Sequence, residues 1–214
     1  YPNLKMGAHR NEDFGNMING TTGQVSTTCI LKDVDSRALI DFAAVHNSNN
    51  DFALNGPQNI KANLRNYWCN GTPLPPLKSS STEAEVNENF GEFTSTVTKL
   101  LVLQESKGYG ELIRNIKEGN IEEISPTDEI TKALFNIDMD AEGSNSVRSR
   151  QKAEAEDKEA SNIYKAGSVV VFKNLKKNKF GIMIIRSVNV DFDAVKATND
   201  ANATITFDLY YQRY

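Results

Sequence analysis

The sequence predicts an α+β fold in which helices pack against a mostly antiparallel sheet, closed at the C-terminus by a three-stranded β-meander. Three observations carry that expectation. Ile205, Phe207, Leu209 and Tyr211 alternate with Thr204, Thr206, Asp208 and Tyr210, so one face of a final strand is buried and the other wet. The run 39–45 is nearly continuous in apolar residues, which marks a strand buried on both faces, and Asp41 inside it requires a partner. Finally, Ile60, Leu64, Tyr67 and Trp68 recur at spacings of three and four, the period of a helix face.

Taken in order, residues 4–9 alternate as a short strand, with Leu4, Met6 and Ala8 on one side. The polar, glycine-bearing stretch 10–23 reads as an ordered loop around Phe14, Met17 and Ile18, with room for one helical turn. Residues 25–32 read as a strand or as a lead into a short helix at 33–38. The buried strand 39–45 ends in a turn at 47–51. After Asn55-Gly56-Pro57 comes the helix carrying Ile60 and Leu64, stopped by Asn70-Gly71 and by Pro73, Pro75 and Pro76. Segment 77–89 is either a surface loop or the start of a helix capped at Ser81 or Thr82, with Glu85 behind the cap.

Residues 93–104 are ambiguous, with a strand favoured at 100–104, followed by the Gly108-Tyr109-Gly110 turn. A short helix over 111–117 buries Leu112, Ile113 and Ile116 and stops at Gly119. A second starts at Ser125-Pro126-Thr127, with Ile130, Leu134 and Phe135 as its stripe and acidic groups at its N-terminus. Residues 138–146 read as a polar loop, and 148–160 as a solvated helix or linker. The meander then runs 169–172, a turn at 176–179, 180–190, turn residues at 199–202, and the final strand. Ile182 to Ile185 are apolar on both faces, which places that strand in the middle. We expect a single domain over 1–214, with weak points only at 72–81 and 146–161.

The composition bounds the function. With 39% hydrophobic and 24% charged residues and a mean hydropathy of −0.49, the chain is globular, not membrane-embedded. No run approaches the roughly 18 apolar residues of a spanning helix. A net charge of −4 and a pI near 5.3 argue against nucleic acid as a partner; the basic stretch 173–179 is a hairpin tip. Starting at Tyr1 instead of methionine, the chain is expected to be a trimmed or mature product. Cys29 and Cys69 are the only cysteines; two half-buried thiols are favoured over a disulfide.

Several constellations invite a chemical interpretation, each set against a bland one. Asp138, Asp140 and Glu142-Gly143 resemble the opening of a calcium loop. Its twelfth position would be Ser149, flanked by Arg148 and Arg150, so a plain acidic loop is favoured and no metal is expected. His9 and His46 each end a predicted strand; they could meet at a sheet edge and, with Asp41 or Asp51, form a thin metal or acid–base set. Cys69 with His46 would make a thiol–imidazole pair lacking an orienting third group. No glycine-rich nucleotide loop occurs, so no cofactor is expected. The sequons at Asn19, Asn70 and Asn202 carry no weight without a eukaryotic secretory route. Aromatic residues near turns are candidates for stacking on sugars: Trp68, Tyr109 and Tyr210 above all, with Tyr67, Tyr211 and Tyr214 behind them. Against this, Tyr67 and Trp68 are expected to face the core from a helix.

Two regions together resemble a known group. LKMGAHRNEDFGN (4–16) followed by ALIDF (38–42), and GSVVVFK (167–173), KFGIMII (179–185) and ATITFDL (203–209) at the end, are similar to the opening and closing patterns of exported lipoproteins of Bacteroidetes. His9 stands where that pattern usually carries Gln, and the middle of the chain lies outside the resemblance. The resemblance implies export, a lipid anchor on a removed N-terminal cysteine as the sole membrane attachment, and placement at the outer membrane or cell surface. It supplies no catalytic residues. The expected function is therefore a non-catalytic binding protein for a glycan or a partner protein. A carboxylate-dependent hydrolase of carbohydrate or peptide, and a structural component of a surface assembly, are the alternatives.

Overall fold

Twelve strands are arranged by their pairing into two five-stranded antiparallel sheets and one small hairpin, in a computed structural model that describes residues 1–11, 13–46, 52–119, 121, 124–149, 162–190 and 202–213. The turn expected at 47–51 with its Asp51, most of segment 148–160, positions 199–201 and Tyr214 lie outside the described residues. The fold is α+β and its sheet pairing is antiparallel, as the alternation patterns predict.

The first sheet contains the meander. Strands β10 (Val169–Asn174), β11 (Lys179–Asn189) and β12 (Thr204–Tyr211) lie side by side in sequence order. Strand β1 (Leu4–Gly7) adds to β12, and β8 (Thr98–Val102) adds to β10. β11 is thus flanked on both sides by its meander partners, which explains its apolar run. A register shift between Ile185 and Ser187 bulges β11 at Arg186 and brings that guanidinium onto the Asp208 carboxylate, with Nε at 2.9 Å. Asp208 also accepts from the Asn3 amide. These contacts overturn the expected wet face of β12: Asp208 and Thr204 are buried, and only Thr206 and Tyr210 are half-buried.

The second sheet has the order β3 (Gln24–Ser26), β2 (Met17–Asn19), β4 (Phe42–His46), β5 (Phe52–Asn55) and β9 (Ser146–Ser149). Its β4 is buried at every position, as predicted. β2 corrects the expectation of a loop over 10–23: three residues are too few to display a period, and pairing with β3 and β4 supplies the order. β5 had no sequence signal of its own. β9 likewise replaces part of the polar loop and linker expected around 146–149, with Val147 and Ser149 turned inward.

The sheets face one another. Met6, Phe172, Met183, Ile205 and Phe207 from the first interdigitate with Ile18, Phe42, Phe52 and Leu54 from the second. Gly181 pairs with Phe172 across β10 and β11, and the Phe172 ring lies where a side chain at 181 would project; a Cβ there would be 2.1 Å from that ring. At one rim, Leu100 of β8 and Ser144 exchange backbone hydrogen bonds of 2.7 and 2.8 Å just before β9; at the other, Gly7 of β1 donates to Gly15 at 2.9 Å. Both edges are thereby bridged.

Helical segments cover the two outer faces. Against the first sheet pack α3 (Gly110–Glu118), through Leu112, Ile113 and Ile116, and the short α4 (Lys132–Phe135) and α5 (Met139–Glu142). The helix expected from Ser125 shrinks to the four residues of α4, of which Leu134 is buried; so short a helix depends on packing to hold it. Against the second sheet pack α1 (Val34–Ala38) indirectly and α2 (Glu83–Thr94) through Val86, Phe90 and Phe93. α2 opens with the predicted capping box: Thr82 Oγ1 accepts from Glu85 N, and the Glu85 carboxylate accepts from Thr82 N. The segment 72–81 contributes Leu74 and Leu77 to the same apolar cluster.

The helix expected over 60–68 is corrected as well. Two 3-10 segments, Pro57–Asn59 and Lys61–Asn66, carry Ile60 and Leu64 into the core, and the chain then becomes extended as β6 (Trp68–Cys69), paired with β7 (Thr72–Pro73). Trp68 consequently turns outward while its neighbour Tyr67 is wholly buried.

Candidate functional site

A cleft lies where that outward turn occurs. It begins with the β6–β7 hairpin, whose tip Asn70-Gly71 has φ of 54° and 73°. Two consecutive residues with positive φ form the hairpin turn that Asn-Gly favours, so Trp68 and Cys69 project to opposite sides of a tight ribbon. Cys69 faces inward and bonds to Cys29, with Cα atoms 4.9 Å apart. This corrects the expectation of two thiols: forty residues separate the cysteines, and only the packing of the 3-10 segment Thr28–Lys32 against the hairpin brings them together. It also removes the Cys69–His46 thiol–imidazole pair, since Cys69 has no thiol to offer.

The opposite wall comes from the end of β1. Asn11 N donates to Ala8 O, and Asn11 Oδ1 accepts from Asp13 N and Phe14 N at 2.9 and 2.8 Å, so a side-chain-locked turn follows His9 and Arg10. Arg10 and Asn11 line this wall, Thr27 and Cys29 the chain leaving β3, and Trp68, Asn70 and Gly71 the hairpin side, around a volume of about 670 Å³. That size falls within the range of small-molecule sites. Trp68 is 45% exposed, and the Arg10 guanidinium lies 5.7 Å from its ring centroid.

His9 sits deeper and is buried, stacked on Tyr67 with ring centroids 4.9 Å apart and planes inclined by 23°. Burial, then the charge of Arg10, then His46 hold its imidazole down at about 3, so it is neutral at neutral pH. The two histidines are therefore brought within electrostatic reach of each other. They are not joined by Asp41, which lies in another network altogether. Among the described residues no group of three or more His, Cys, Asp or Glu side chains assembles as a metal site.

Hydrogen-bonding capacity in this region is unused. His9 Nδ1, Arg10 Nε and Tyr67 Oη are buried and make no hydrogen bond with the described residues. Asn11 commits its carbonyl oxygen to the turn. No carboxylate lines the cleft among the described residues. The arrangement can offer an aromatic face, a guanidinium fork and neutral donors and acceptors.

The other predicted aromatic residues are not gathered here. Tyr109 and Tyr210 pack beside the apolar cluster on the outer face of the first sheet, whereas Trp68 stands beyond the outer face of the second. Tyr109 donates to the Glu142 carboxylate, and burial followed by that carboxylate pushes its hydroxyl up to about 12. Tyr211 reaches the inter-sheet core, where burial first and then Asp41 raise it. The acidic trio belongs to α5: Asp138 Oδ1 caps the helix by accepting from Asp140 N and Ala141 N at 3.1 Å each, Asp140 is exposed, and Glu142 holds Tyr109. Arg10, Asn11 and Thr27 were not foreseen as site residues. Trp-Cys-Asn-Gly-Thr, interpreted as a hairpin and not as a helix end, would have turned Trp68 outward.

No helix among the described residues is long and apolar enough to cross a membrane. No protein-family model matches the chain, and no curated protein does. Among solved structures, the chain is similar to a DUF4466 family protein from Parabacteroides merdae, with 14% identity and a TM-score of 0.48 over 98% of this chain. The chain spans about half the length of that protein, 52% of it.

Proposed function

We propose that this protein is a non-catalytic exported binding protein that seats a glycan in the cleft between Arg10 and Trp68. The observation that carries this is the pairing of an exposed indole with buried polar atoms that the protein leaves without partners. An aromatic face suits the apolar side of a sugar ring, and unspent donors and acceptors suit its hydroxyls. Export is supported by the Cys29–Cys69 disulfide, since such bonds persist in oxidising compartments. It is supported too by the resemblance to exported lipoproteins, on which we also place the protein at the outer membrane or cell surface through a lipid anchor. A hydrolase gains no support from this cleft, whose described lining offers no carboxylate as acid or base.

The test is a glycan array probed with the wild type and with Trp68→Ala. Retention of some glycan by the wild type and its loss in the variant is the expected result. Retention by both, or by neither, would overturn the proposal. Metabolic labelling of the full-length protein with palmitate checks the anchor; an unlabelled product would rule it out.

A further inference from the structure

We infer that the ligand of this cleft is an acidic saccharide, whose carboxylate is received by Arg10 while its ring lies against Trp68. The inference rests on the glycan-binding proposal above and goes on to name the class.

Charge is the first ground. The chain as a whole is acidic, with 28 Asp and Glu against 24 Lys and Arg, yet the cleft is lined by Arg10 and by no described carboxylate. The charged side chain that lines it is therefore opposite in sign to the net charge of the chain. Arg10 also lacks an ion-pair partner among the described residues, and its buried Nε–H has no acceptor. A guanidinium edge with an unspent N–H matches the two oxygens of a carboxylate.

Geometry is the second ground. Arg10 is held in place, because Trp68 carries its guanidinium and the Asn11 turn fixes its backbone. A pre-positioned fork loses little freedom on binding. His9 adds no second positive charge, being neutral, but keeps a buried Nδ1 for a hydroxyl. Asn11, Asn70 and Gly71 line the same cleft. One carboxylate, one ring face and a few hydroxyls are the recognition elements of a uronic acid residue.

Trp68 is the sole tryptophan, so intrinsic fluorescence reports on this cleft alone. The experiment titrates the full chain with tetramers of galacturonate, mannuronate and guluronate, with their methyl esters, and with neutral tetramers of galactose and mannose. Calorimetry runs in parallel on the wild type, Arg10→Gln and Arg10→Lys. The expected result is a fluorescence change with at least one uronate, with the ester weaker by about tenfold or more. Arg10→Gln should lose that preference, Arg10→Lys should keep part of it, and added salt should weaken uronate binding. Esters or neutral sugars binding as tightly as the acids would overturn the acidic class while leaving glycan binding at the cleft intact. If no saccharide of either kind changes the fluorescence or releases heat, both inferences fall. The ester comparison uses the wild type, so it decides the matter even where an Arg10 variant folds poorly.

Discussion

The carboxylate of Asp41, at the entry to β4, lies 2.9 Å from the ammonium of Lys177 in the turn between β10 and β11. Asp41 has no solvent exposure, and its other contacts are equally specific. Oδ2 accepts from Gly20 N, and Oδ1 accepts from Asn174 Nδ2, both at 2.7 Å, with Tyr211 Oη further off at 3.4 Å. Lys177 also donates to Leu39 O at 2.7 Å. One carboxylate thus ties the second sheet to the turn and last strand of the first.

Removing that charge leaves a buried cation-facing hole and orphaned donors. Asp41→Ala is expected to cost about 3–5 kcal/mol in urea unfolding. Lys177→Met should cost less, about 1–2 kcal/mol, since three donors still serve the carboxylate. Equal losses from the two would contradict the hub.

Stability should depend on pH through His9. Its imidazole sits at about 3 when folded against 6.5 when unfolded. Between those values the unfolded chain binds a proton that the folded chain does not. The contribution is therefore fully present above 6.5 and is lost progressively as pH falls toward 3. Between pH 6.5 and about pH 5 the loss is about 2 kcal/mol. Denaturation of wild type and His9→Gln at both pH values measures it, and the variant should lack this share of the slope.

The disulfide ties the hairpin side of the cleft to the 3-10 segment Thr28–Lys32. For a loop of forty residues, opening it should cost about 4 kcal/mol by the chain-entropy estimate. Cys29→Ser with Cys69→Ser should lower the unfolding midpoint accordingly. Because Trp68 is next to Cys69, its emission in the folded variant should shift to the red and bind saccharide more weakly. An unchanged spectrum and affinity would mean that the cleft is pre-formed without the bond.

Gly181 offers a sharper packing test. The Phe172 ring occupies the space of a side chain there, so Gly181→Ala should cost about 1–3 kcal/mol. Adding Phe172→Leu should recover part of the loss, which a double-mutant cycle would detect.

Patterns with many repeats were legible in the sequence. Alternation at Ile205, Phe207, Leu209 and Tyr211, the two-sided apolar run of β11, and the capping box at Thr82 and Glu85 each depend on local periodicity or local hydrogen bonds, which any folded context preserves. Asp41 announced that it needed partners, although it could not name Lys177 or Asn174, more than a hundred residues away.

Tertiary structure decided the rest, and for one physical reason: short segments take their conformation from what they pair with. Three residues at Met17–Asn19 become a strand only because β3 and β4 lie on either side of them. Asp208 is dry only because a bulge at Arg186 and the backbone of Asn3 cover it. Tyr67 and Trp68 fit a helix face as well as an extended chain, and pairing of Trp68 and Cys69 with Pro73 and Thr72 made that end a strand, with the Tyr67 ring inward on His9 and the Trp68 ring out beneath Arg10. The sequence alone thus determined the C-terminal meander, the buried β4 and the α2 cap, whereas the short strands and the cleft exist through contacts between residues far apart in the chain, where local periodicity carries no information.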